Sequence, residues 1–209
     1  MPSPIRILVV EYESLTRLGM QALIEASEGL SLAGDADNLA DGLNLFRELA
    51  PDVTILGLRF PDSCSIDDLD KYFAESPNAR IIVLAGHAGD VEISRALSKG
   101  VAGYICKDIE PTELIEAIRT VATGRKYLPN EIAQILSENV GQEALTAAES
   151  NILRMIVGGM SNKEIGFALG ITENTVKTHN QNLFGKIGVS DRTSAAAIAI
   201  RRGLVRIDL

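Results

Sequence analysis

The chain has 209 residues, 46% hydrophobic and 23% charged, with a formal net charge of −8. That length fits one large domain or two small ones, and the composition is ordinary for a soluble globular protein. No window approaches eighteen consecutive apolar residues, which excludes a membrane-spanning helix, and two cysteines, Cys64 and Cys106, are too few and wrongly spaced for a disulfide scaffold or a metal site.

The N-terminus, MPSPIR, lacks a charged stretch followed by an apolar one, so no signal peptide is expected and a cytoplasmic location is the default. The charge is unevenly spread. Residues 1–140 carry 12 basic and 22 acidic side chains, a net of −10, whereas residues 141–209 carry 8 and 6, a net of +2. Within residues 161–206 the balance is 7 to 3, or +4. An acidic first part joined to a basic second part predicts that only the second meets a polyanion.

In chain order, IRILVV (5–10) is a continuous apolar run and predicts a buried strand. TRLGMQALIEA (16–26) has helical spacing at Leu18, Ala22 and Ile24. LSLAG (30–34) is a short strand, and LADGLNLFRELA (39–50) a helix with Leu43, Phe46 and Leu49 on one face. VTIL (53–56) and RIIVLA (80–85) are apolar strands, DVEISRALSKG (90–100) a helix stopped by Gly100, and AGYIC (102–106) the last strand. PTELIEAIRTVATG (111–124) is a helix with proline near its start and glycine after its end. Strands apolar on both faces belong to parallel sheets covered by helices. The pattern predicts a doubly wound, flavodoxin-like α/β domain over residues 1–124 with a five-stranded parallel sheet. Ligands and chemistry in such folds sit at the carboxyl ends of the strands, which here carry Glu11 and Tyr12, Gly57, Ala85 and Lys107.

Residues 125–144 read as a linker containing a short helix. Residues 145–209 read as all-helical. TAAE (146–149) and SNKE (161–164) are capping boxes; TENT (172–175) and SDRT (190–193) begin with good caps. Glycines at 158–159, 170, 188 and 203 mark the ends. Four helices follow, at roughly 146–158, 161–169, 173–187 and 191–202. The middle two are joined by a tight turn, the helix-turn-helix spacing.

Residues 145–205 contain SNKEI, LGI, TVKTH, KIGV and DRT in order, and this stretch resembles a LuxR-type DNA-binding domain. Residues 5–137 resemble the receiver domain of response regulators. Together they resemble the NarL/FixJ class. The resemblance implies a sequence-specific, DNA-binding transcriptional regulator that is not an enzyme, uses double-stranded DNA as its partner and needs no cofactor. It implies that the helix 173–186 enters the major groove, with Lys177, Thr178, His179 and Gln181 near bases or phosphates. Lys163 and Lys186 are the candidates for phosphate contacts. Val176, Leu183 and Ile187 are expected in the core, and Asn182 is expected to make a structural hydrogen bond. The last helix pairs two copies in the family, which points to a homodimer on DNA with Ala195, Ala196 and Ala199 at the contact.

The receiver resemblance is good in architecture and poor in chemistry. An ordinary receiver has two adjacent acids after its first strand, which hold Mg²⁺; this chain has Glu11 and Tyr12. The phospho-accepting aspartate is replaced by Gly57, and the Ser or Thr that ends the fourth strand by Ala85. Lys107 is kept. Without a nucleophile at 57 or a hydroxyl at 85, control independent of aspartyl phosphorylation is expected. Asp62 or a nearby serine is the alternative acceptor. Lys107 is expected to pair with Glu11 across the strand ends, Glu11 being structural rather than metal-binding; Tyr12 either plugs the site or faces a partner. His87 reads as a solvated loop residue. A second function class stays open, an adaptor whose degenerate receiver binds a protein, with DNA binding secondary.

Overall fold

The computed structural model describes residues 3–61, 63–87, 89–138 and 143–205. They form two compact units, one comprising the chain up to Gln134 apart from residues 89–92, and the other residues 89–92 with the chain from Ile135 onward.

In the first unit, β1 (Ile5–Val10), β2 (Leu30–Ala36), β3 (Val53–Gly57), β6 (Ile81–Ala85) and β7 (Gly103–Cys106) make a parallel sheet in the order β2-β1-β3-β6-β7. β4 (Arg59–Phe60) and β5 (Ser63–Cys64) form a separate small hairpin after β3. One sheet face, carrying Ile7, Val9, Ile55, Ile82 and Ile105, packs against Met20 and Ile24 of α1 (Ser14–Glu25) and Leu114, Ala117, Ile118 and Val121 of α5 (Pro111–Ala122). The opposite face meets α2 (Leu39–Leu49) and α3 (Ser65–Glu75), whose Phe46 and Tyr72 rings meet edge to face at 5.1 Å. α4 (Asp90–Ser98) follows β6. The strands are apolar on both faces because both are covered.

Two local expectations are corrected. In α1, Leu18 and Ala22 face solvent, and the buried positions are Met20 and Ile24. The segment between β3 and β6 contains α3, which the sequence reading passed over. Its register is set by Ile66, Leu69 and Tyr72, all wholly buried, while five of its eleven residues are charged. α6 (Asn130–Glu138) forms within the stretch read as a linker with a short helix. Among the described residues no helix is long and apolar enough to cross a membrane.

The second unit is built from α7 (Ala147–Val157), α8 (Asn162–Leu169), α9 (Glu173–Ile187) and α10 (Arg192–Arg201) around Ile152, Leu153, Ile156, Ile165, Val176, Leu183, Ile187, Ala195 and Ala199. Both expected capping boxes are formed, Thr146 with Glu149 and Ser161 with Glu164. Gly166 allows α8 to approach the turn that follows it, since a Cβ there would lie 2.8 Å from the Ile171 carbonyl oxygen.

Glu149 does more than cap. Its buried carboxylate accepts from the Thr146 N–H at 2.8 Å and from Lys186 Nζ at 3.0 Å, tying α7 to α9. Burial pushes its pKa up, but the Thr146 backbone bond and the Lys186 ammonium outweigh that and hold it below its ordinary 4.5. A depressed carboxyl pKa stabilises the fold above the unfolded value, and that stability is lost as pH falls through the folded value. The urea midpoint of this unit, followed by NMR signals of α9, is therefore expected to fall as pH drops below about 4.5, and Glu149→Gln is expected to flatten that fall.

Candidate functional site

The order β2-β1-β3-β6-β7 places a topological switch between β1 and β3, where crevices open at the strand ends. Val10 pairs with Leu56, so Glu11 leaves β1 beside Gly57. Glu11 is wholly buried. Its Oε1 accepts from the Glu13 N–H at 2.8 Å and from Lys107 Nζ at 3.1 Å. Lys107 also pairs with Glu13 at 2.9 Å, and that ammonium holds the exposed Glu13 carboxyl below its ordinary range. Arg17 donates to the Glu11 carbonyl at 2.6 Å and pairs with Asp35 at 3.2 Å. The backbone of Lys107 is fixed by its N–H on the Ala85 carbonyl.

The structure thus brings together Glu11, Gly57, Ala85 and Lys107, with the expected Lys107–Glu11 pair formed. Tyr12 is 52% exposed and does not plug the site. His87 is exposed. Asp62 lies outside the described residues. These groups do not fit a Mg²⁺ site of the ordinary kind, which wants several oxygen ligands. Gly57, Ala85 and Tyr12 offer no carboxylate, and Glu11 is already held by an ammonium and an N–H. Among the described residues no cluster of three or more His, Cys, Asp or Glu could hold a metal.

In the second unit α8 ends at Gly170 in the left-handed conformation, and the Thr172 side chain caps α9 by accepting from the Thr175 N–H at 3.1 Å. Val176, Asn180, Leu183 and Ile187 turn inward. Lys177, Thr178 and Gln181 stand on the exposed side of α9, as does Lys163 on α8, and His179 is half-buried. Lys177 pairs with Glu173 at 2.9 Å, one turn earlier. The Lys177 bond is the main cause of a depressed Glu173 carboxyl pKa.

Three assignments shift. Lys186 is turned to Glu149 with only 22% of its side chain exposed, so its ammonium serves the α7–α9 tie. The structural asparagine is Asn180, which is buried and donates to Asn162 at 3.0 Å, whereas Asn182 is exposed. Ala195 and Ala199 are wholly buried in their own unit, and Ala196 is half-buried. The outer face of α10 carries Thr193, Ala197 and Ile200 instead. Sequence reasoning missed Glu13, although its spacing to Glu11 offered a signal, and missed Arg17.

Residues 7–119 match the response regulator receiver domain model, and residues 143–199 match bacterial regulatory proteins of the luxR family. This chain is a luxR-family response regulator. It is 35% identical to the transcriptional regulatory protein MctR of Rhizobium johnstonii, over 96% of this chain and 95% of that one. It is 31% identical to the nitrate/nitrite response regulator protein NarL of Escherichia coli K12, over 92% and 94%. In fold it is similar to RcsB from Salmonella enterica serovar Typhimurium bound to promoter DNA, with a TM-score of 0.74 and 21% identity over 94% of this chain and 98% of that one.

Within this response regulator, Lys107 and Glu13 contribute unequally. Lys107→Ala strips the cation from a buried carboxylate and is expected to cost on the order of 3 kcal/mol. Glu13→Ala removes an exposed partner and is expected to cost less than about 1 kcal/mol. Urea unfolding of the two variants checks the contrast; equal costs would contradict it.

Proposed function

We propose that this response regulator binds specific DNA sequences as a transcriptional regulator and is controlled without aspartyl phosphorylation. The observation that carries the second half is the strand end at Gly57, where the acceptor carboxylate is missing and the neighbouring Glu11 is committed to Lys107. The chain then acts as a binding protein rather than an enzyme. DNA binding rests on the exposed side of α9, with Lys177, Thr178 and Gln181 toward the major groove, His179 at its margin and Lys163 toward phosphate. On DNA, two copies pair through the outer face of α10, Thr193, Ala197 and Ile200, with Ala196 at its edge. Pairing raises the local concentration of the second DNA-binding unit and can strengthen binding by about 10²–10⁴ without new contacts.

A specific observation also favours a protein partner for the receiver. Tyr12, Leu15 and Leu18 are 52%, 84% and 57% exposed on one stretch at the start of α1, and large apolar side chains grouped on a surface mark interaction sites. An adaptor would use this surface and keep its partner when the residues after 144 are deleted. A transcription factor would not need that partner to select DNA.

Two measurements test the reading. Against a site selected from random DNA, Lys177→Ala is expected to cost about 1–3 kcal/mol, with a smaller effect on unselected DNA; unchanged affinity removes Lys177 from the interface. Adding a small phosphodonor with Mg²⁺ is expected to leave the affinity of both the parent and Gly57→Asp unchanged. Activation of either by the donor would contradict phosphorylation-independent control.

A further inference from the structure

The Glu11 carboxylate is seated unusually. Its Oε2 is buried and makes no hydrogen bond, a position that native structures rarely leave uncompensated. A Cβ built on Gly57 would lie 2.5 Å from that Oε2 and 3.1 Å from Glu11 Cδ. The carboxylate therefore stands in the space that any side chain at 57 would need. Backbone conformation gives no other reason for glycine, because Gly57 is a strand residue outside the left-handed region. The group that a side chain here would meet first is the Glu11 carboxylate.

We infer that the receiver completes its vacated site from within the chain. Glu11, reaching from the end of β1, occupies the place of the missing residue-57 side chain, and Lys107, held by both Glu11 and Glu13, is the fixed counter-cation. The turn after β1 and the turn after β7 are thereby tied in one arrangement. Gly57 and Glu11 are a matched pair: a side chain at 57 and the Glu11 carboxylate need the same space. The inference rests on the absence of an acceptor at 57, and it adds what has taken the acceptor's place.

A double-mutant cycle tests it in the full chain. All four tyrosines, 12, 72, 104 and 127, lie in the first unit and the chain has no tryptophan, so tyrosine fluorescence during urea unfolding reports that unit alone. Gly57→Ala is expected to lower the midpoint in the parent. In the Glu11→Ala background the same substitution is expected to lower it by much less or to raise it, the next nearest atom being the Val10 carbonyl oxygen at 3.3 Å. Equal drops in both backgrounds would overturn the inference and leave phosphorylation-independent control standing. If Gly57→Ala alone does not fold, the Glu11→Ala/Gly57→Ala chain must fold, and its failure would overturn the inference too. A phosphodonor that activates DNA binding would instead overturn the functional reading, whatever the cycle shows.

Discussion

The ion pair between Glu11 and Lys107 is the interaction on which the receiver's strand-end surface depends. A buried carboxylate is costly unless its charge is met, and here it is met by one ammonium and one backbone N–H. The arrangement works only because three elements deliver their parts to one point. β1 ends at Val10 and releases Glu11 beside β3; β3 ends in a residue with no side chain; β7 runs to Cys106 and presents Lys107 next, its N–H anchored on Ala85. At these strand ends Gly57 and Ala85 stand beside a buried ion pair.

The second unit rests on a comparable tie. Glu149 reaches Lys186 across α7 and α9, while Asn180 reaches Asn162 across α9 and α8. Both polar contacts lie at the edges of an apolar core, and together they fix α9 against two neighbours. The side of α9 that remains exposed is the one carrying Lys177, Thr178 and Gln181. Rigid support behind an exposed helix face is what groove reading requires, because base contacts depend on geometry more than on charge alone.

Much of this was legible in the sequence. The apolar runs named all five parallel strands, and the capping residues Thr146, Ser161 and Thr172 placed three of the C-terminal helices within a residue or so of where they begin. The Lys107–Glu11 pair followed from putting both residues at neighbouring strand ends. The misses share a cause: they depend on which way a side chain turns. Ala195 and Ala199 look identical to exposed alanines until α10 is set against its own core. Asn180 and Asn182 differ by two positions on α9, and only the Val176–Leu183–Ile187 face decides which is buried. α3 was overlooked because its charged residues hide a short apolar stripe. That Glu11 fills the space over Gly57 could not be read, since it too depends on which way the Glu11 carboxylate turns.

The central claim is that no phosphoryl group is needed or accepted at this receiver. Intact mass measurement of the purified full-length chain, after incubation with a small phosphodonor and Mg²⁺, tests it most directly when the oligomeric state is recorded in the same samples. The account predicts no phosphoryl adduct and an oligomeric state that the donor does not change. A stoichiometric adduct, with a shift in assembly, would mean that another residue has taken over the acceptor's role and would contradict it.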